Sequence, residues 1–106
     1  MLIYLASPYS HPEAEVRQQR FETVCHVAAK LMAEGKHVFS PIAHTHPIAL
    51  KGDLPLGFDY WEEFDRKMIA ACGELWVVRM DGWETSKGVK AEVGIAGELG
   101  IPVKYV

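Results

Sequence analysis

Cysteine is scarce in this 106-residue chain: only Cys25 and Cys72 occur, each among apolar residues of a helical pattern. Two isolated thiols of that kind read as small core side chains rather than as a disulfide or a redox couple. An excess of one charge is also missing. The 11 Lys and Arg are set against 14 Asp and Glu, for a formal net charge of −3, so no general field draws in a nucleic-acid polymer or an anionic membrane. No apolar run approaches the roughly 20 residues of a membrane span. The apolar start "MLIYLASPYS" carries no basic residue and is cut short at Pro8, unlike a secretory signal. Repeats and low-complexity tracts are absent as well. These absences lead us to expect one cytoplasmic domain, residues 1–106, that holds any anionic ligand through local donors.

What is present is ordinary globular material, 49% hydrophobic and 24% charged. The short apolar run "LIYLA" (2–6), stopped by "SPYSHP", reads as a buried strand followed by a loop. Between Glu13 and Glu34 the residues Phe21, Val24, Cys25, Ala28, Leu31 and Met32 recur at three and four, which predicts an amphipathic helix with Gly35 as its stop. "HVFS" is a second strand. Residues 41–57, with three prolines and two glycines and no period, read as a long and therefore functional loop. A helix over 58–72, a strand in "ELWVVRM", a helix from Val89 and a strand in "IPVKYV" complete the chain. Alternation of short apolar strands with helices predicts an α/β fold: a small doubly wound, flavodoxin-like parallel sheet of four to five strands with helices on both faces. Ligands of such folds lie beyond the carboxyl ends of the strands. The loops "SPYSHP", with Ser7 and Tyr9, and "DGWETSKG", with Asp81 and Trp83, are therefore the first candidates for a site.

Two carboxylates sit where they should not. Wound at 100° per residue, the last helix puts Val89, Val93, Ile95, Ala96 and Leu99 on one face, with Glu92 at its centre. In the preceding helix Asp65 shares a stripe with Trp61, Met68, Ile69 and Cys72. A structural partner such as a backbone amide, Arg66, Arg79 or a tyrosine hydroxyl would satisfy either acid. A pair aimed into one cleft is instead the usual equipment for chemistry at an acetal-like carbon, one acid attacking and the other moving protons. Before Glu92, Thr85 and Ser86 suit a helix N-cap, and Gly88 leaves the backbone open to a ligand where free amides favour an anion. Lys87 is near enough in sequence to assist. "HTH", with His44 and His46, is a poor match to zinc spacing. We expect no metal there, and His44 or His46 as lid residues of a base pocket.

In "IYLASPY", "WEEFDRKMIAAC" and above all "DGWETSKGVKAEVGIAGELGIPV", the chain resembles the nucleoside 2-deoxyribosyltransferase superfamily, which includes 2'-deoxynucleoside 5'-monophosphate N-glycosidases and small uncharacterised relatives. It looks closest to the uncharacterised branch. The most specific element is S-x-G-V-x-x-E-x-G-x-A, here Ser86, Gly88, Val89, Glu92, Gly94 and Ala96. The resemblance implies that Glu92 is the nucleophile attacking the anomeric carbon, that Asp65 helps the base leave, that Tyr4 orients Glu92, and that the Ser7 region covers the sugar. Ser86 stands where transferases of free nucleosides carry an aspartate, which favours a 5'-phosphate. The implied activity is cleavage or exchange of the base of a nucleoside or nucleoside 5'-monophosphate through a glycosyl-glutamate, without a cofactor, in a homodimer or homotetramer. A nucleotide-binding or sensing module without turnover is the alternative, and a His-dependent metallohydrolase a more distant one.

Overall fold

The computed structural model describes residues 1–106. Its elements in order are β1 (Leu2–Ala6), α1 (Ala14–Ala33), β2 (His37–Phe39), α2 (Pro41–Gly52), α3 (Phe58–Ala70), β3 (Glu74–Val77), α4 (Lys87–Glu98) and β4 (Val103–Tyr105), with a single 3-10 turn at Trp83–Thr85. The four strands form one parallel sheet in the order β2-β1-β3-β4, with Tyr4 beside both Phe39 and Leu75. The α/β flavodoxin-like expectation is met at four strands.

Strand alternation divides the core in two. Ile3 and Leu5 point to one face, where Val24 and Ala28 of α1 cover them together with Val38, Trp76 and Val78. Tyr4 and Ala6 point to the other, against Ile69 of α3 and Val89, Ile95 and Ala96 of α4. Both faces of β1 are buried, which is why "LIYLA" is apolar throughout and not alternating. The chain leaves β1 towards β2 on one side and returns through α2 and α3 to β3 on the other. Strand order therefore reverses between β1 and β3, and the loops after those two strands splay apart at their carboxyl ends.

One segment differs from its sequence reading. Residues 41–57 are not a continuous loop, because Pro41 to Gly52 form α2. The physical reason lies at its start: Ser40 Oγ accepts a hydrogen bond from the Ala43 amide at 3.1 Å, and Pro41 sits at the first helical position, where a missing N–H costs nothing. Pro47 lies inside the helix and gives no N–H to the preceding turn, the feature that makes the sequence read as a loop. Packing on α1 decides the outcome, with Ala49 buried. Leu99 also departs from expectation: it caps α4 and stays 44% exposed, while Val89, Ile95 and Ala96 go inside.

Because α2 depends on that cap, Ser40→Ala is expected to cost about 1 kcal/mol, lowering Tm by about 4–8 °C. A thermal melt that leaves Tm unchanged would show that packing on α1 holds α2 without it.

Candidate functional site

The carboxyl ends of β1 and β3 open into a cleft of about 540 Å³. Its floor is made by Glu92 of α4 and Asp65 of α3, its walls by Ser7 and Tyr9 after β1 and by Gly82, Ser86 and Gly88 after β3, with Arg20 of α1 reaching both loops. Thr45 and His46 of α2 complete one end, and Phe58 and Trp61 another part of the rim.

Glu92 is 4% exposed and Asp65 6%, so both acids are inside, as their place on apolar stripes implies. Beneath them Tyr4, fully buried on the same face of the sheet, donates its hydroxyl to Glu92 Oε2 across 88 positions of sequence. Burial, reinforced by the charges of Glu92 and Asp65, pushes the Tyr4 phenol far above its ordinary value, so it remains a donor. Burial also dominates both acids. It raises Glu92 to about 8, with the Tyr4 hydrogen bond opposing and Asp65 adding to the rise, and it raises Asp65 to about 7, with the Tyr4 hydroxyl opposing. Asp65 Oδ1 has no hydrogen-bond partner, nor has Ser7 Oγ, whose residue is 5% exposed. Unpartnered polar atoms that are this deeply buried are rare in folded proteins. Both residues line the cleft, where a polar ligand could satisfy them.

The loop after β3 explains the far wall. Gly82 has φ +90°, which favours glycine, and a Cβ there would collide with the Arg20 guanidinium. Arg20 also donates from Nη1 to the Ser10 carbonyl at 3.0 Å, so one side chain from α1 ties the two splayed loops together. The chain's ion pairs engage Lys36, Arg66, Lys67 and Lys104, and neither Arg20 nor Arg17 joins one. Ser86 caps α4 by accepting from the Val89 amide at 3.1 Å, which leaves its own O–H free to donate. At Gly88 a Cβ would meet only ordinary contacts with Phe58 and Ser86, so the protein itself does not demand glycine there.

Of the residues singled out in the sequence, Ser7, Tyr9, His46, Asp65, Ser86, Gly88 and Glu92 line this one cleft, and Tyr4 lies directly below. Three lie outside its lining. Asp81 is exposed, Trp83 packs on Tyr105 with centroids 5.6 Å apart, and His44 stacks on Phe64 at 5.9 Å. His44 and His46 thus turn to different partners, and no three His, Cys, Asp or Glu side chains gather where they could hold a metal ion. Arg20 escaped the sequence reading. Its one signal is the spacing R-x-x-R, which puts Arg17 and Arg20 on the same face of α1, both donating to carbonyls of the Ser10–His11 loop.

The raised acids make stability depend on pH. Each folded value exceeds its ordinary one, so the contribution is full below about 4, where both states are protonated, and is lost as pH rises through about 7 to 8. Glu92→Gln should therefore gain stability relative to wild type as pH rises from about 4.5 to 8.5, by several degrees of Tm, since each kcal/mol moves Tm by about 4–8 °C. A difference in Tm that stays constant from pH 4.5 to 8.5 would contradict this electrostatic account.

No curated protein matches the chain. Among solved structures it is similar to a 2-deoxyribosyltransferase from the psychrotolerant bacterium Bacillus psychrosaccharolyticus, described as a biocatalyst for nucleoside synthesis. Identity is 25%, the TM-score is 0.66, and the match covers 99% of this chain and 71% of that one. The likeness extends over β1 to β4 and supports the superfamily resemblance read from the motifs. Residues 1–106 match, end to end, the model of the family described as a domain of unknown function (DUF1937), and the chain belongs to that family.

Proposed function

We propose that the protein breaks the N-glycosidic bond of a nucleoside 5'-monophosphate, or of the free nucleoside, through a covalent glycosyl-Glu92. The observation that carries this reading is the pair of buried carboxylates at one cleft floor, with Glu92 aimed by the Tyr4 hydroxyl. The likeness to a 2-deoxyribosyltransferase supports it at the level of glycosyl transfer.

In this mechanism a Glu92 oxygen forms a bond to the anomeric carbon while the bond from that carbon to the base nitrogen breaks. The bonding electrons leave with the base, which takes a proton from Asp65. Water, or a second base, then attacks the anomeric carbon of the ester, gives its proton to Asp65 and frees Glu92. Burial of both carboxylates in one place favours retaining a single proton near neutral pH, and attack requires the form with that proton on Asp65, in which the Tyr4 hydroxyl holds the charge of Glu92. Tyr4 steadies the charge that returns to Glu92 when the ester breaks.

A phosphate fits the wall facing the acids. The free O–H of Ser86, the open backbone at Gly88 and the N-terminus of α4 all favour an anion, and Arg20 adds a cation that no carboxylate neutralises. Lys87 lies exposed at the same rim.

Chromatography of free base, after incubation with ribo- and deoxyribonucleosides and their 5'-monophosphates, tests the reaction. Wild type is expected to release base and Glu92→Gln to fall at least a thousandfold while still binding the ligand, on the order of the losses seen when a catalytic group is removed. Equal release by both proteins would exclude Glu92 as nucleophile, and binding without release by either would leave a nucleotide-binding module. Arg20→Ala should raise KM for monophosphates about 10- to 100-fold, as loss of a charge-assisted contact does, and leave nucleosides unchanged. An equal rise for both would place Arg20 in loop tethering only.

A further inference from the structure

One cleft residue is wired to the outside of the protein. His46 of α2 is 4% exposed, packed against Phe21 with centroids 4.5 Å apart and the rings tilted by 31°, and hydrogen-bonded through both ring nitrogens. Nδ1 lies 2.5 Å from the Tyr9 hydroxyl and Nε2 lies 2.9 Å from Gln18 Oε1. Tyr9 and His46 line the cleft, whereas Gln18 is an exposed residue of α1 and does not.

The direction of this array follows from the end of the Gln18 amide that faces His46. With Oε1 turned to the ring, which can only accept, Nε2 carries the proton between them. In a neutral imidazole Nδ1 is then bare, and the Tyr9 O–H has to point at it. Neutrality is the expected state, because burial, with the positive charge of Arg17 behind it, holds His46 below the ordinary imidazole value. Burial raises the Tyr9 phenol against the opposing pull of Arg17, so its proton stays in place. Arg17 donates to the His11 carbonyl, and its cation attracts lone pairs rather than the phenol proton, which favours the same orientation. With its only proton committed inward, the Tyr9 oxygen has lone pairs and no donor left for the cleft.

From this geometry we infer that Tyr9 is a specificity-determining acceptor: it selects ligands that present an N–H or O–H donor at that wall, and the exposed Gln18 sets this polarity through the tautomer of His46. Tyr9 would touch the ligand, and His46 and Gln18 are positioning residues. The donor on the ligand is an exocyclic amino group of the base or a hydroxyl of the sugar. The inference rests on the proposed function for the identity of the ligand, but not for the polarity of the array.

Gln18 makes the test clean because it is exposed and touches neither the acids nor the cleft. In Gln18→Lys an ammonium replaces the carbonyl oxygen. It can only donate, so wherever it pairs with the ring Nε2 is bare, Nδ1 is protonated and the Tyr9 O–H turns into the cleft. Gln18→Glu keeps an acceptor and so keeps the original polarity. Nitrogen-15 NMR of His46 reads the tautomer without any ligand, with Nε2–H expected in wild type and Gln18→Glu and Nδ1–H in Gln18→Lys. Wild type with Nδ1–H would overturn the inference.

Dissociation constants are then measured by calorimetry on the Glu92→Gln background for adenosine against inosine 5'-monophosphate, cytidine against uridine 5'-monophosphate, and each against its 3'-deoxy form. Preference for the donor-bearing member is expected to fall about tenfold in Tyr9→Phe, the usual worth of one hydrogen bond, and to reverse in Gln18→Lys. Loss in the amino–oxo pairs identifies the base as the donor, and loss in the 3'-deoxy pairs identifies the sugar. No change in any pair with Tyr9→Phe overturns the inference. If no nucleotide binds while the tautomers come out as stated, the functional reading fails and takes the ligand-selection step with it.

Discussion

The hydrogen bond from Tyr4 to Glu92 is the constraint on which the rest of the arrangement depends. It joins the central strand to the last helix through the middle of an otherwise apolar interface, between Leu75 and Val77 on the sheet and Val89 and Ile95 on the helix. A carboxylate there is expensive unless something holds its charge or its proton. One tyrosine hydroxyl offsets part of that cost and also fixes direction, because a donor on a rigid strand leaves the acid little freedom to turn. Nothing inside the sheet–helix interface uses the other Glu92 oxygen, and the residue lines the cleft.

Asp65 changes what this bond can do. Two acids buried at one floor each disfavour charge on the other, and the structure supplies no cation to neutralise either: Arg66, the basic neighbour of Asp65 in α3, is turned outward to Glu98 at 3.0 Å. The floor therefore tends to keep a proton at neutral pH. The displacement proposed above draws on that proton when it lies on Asp65, which leaves Glu92 as the carboxylate beside the Tyr4 hydroxyl. The unpartnered Oδ1 of Asp65 and Oγ of Ser7 add to the cost of burial, and both residues line the cleft, from which a partner can reach them.

How much of this could be read from the chain follows from how each feature is encoded. Strand burial is encoded by composition, so "LIYLA" and "ELWVVRM" were legible. Misplaced polarity is encoded by periodicity, so Glu92 and Asp65 stood out against their helices. The fold class followed from the alternation of elements. By contrast α2 was hidden, since Pro47 and the absence of a period argue for a loop, and only the Ser40 cap with tertiary packing on α1 overrides them. Arg20 was hidden for another reason: a solvent-facing arginine and one that bridges two loops 10 and 62 residues away look alike until the loops are in place. The same holds for Gln18, an unremarkable surface amide in sequence whose partner is 28 positions further on.

The division of labour within the cleft follows from these differences. Tyr4, Asp65 and Glu92 stand on a strand and two helices locked by the core, where a small displacement would disturb packing on both sides of the sheet. Ser7, Tyr9, Arg20 and Ser86 belong to the splayed loops or to the side chains that tie them, and they line the cleft above that floor. Apart from Ser86, which caps α4, changes of residue in these loops are cheaper in stability than changes at the floor, because the loops carry little of the core. A fold built this way can alter which ligand it admits while leaving the buried acids untouched. That separation is the physical reason to look to the rim, and to the inferred tautomer of His46 in particular, for ligand choice in this chain.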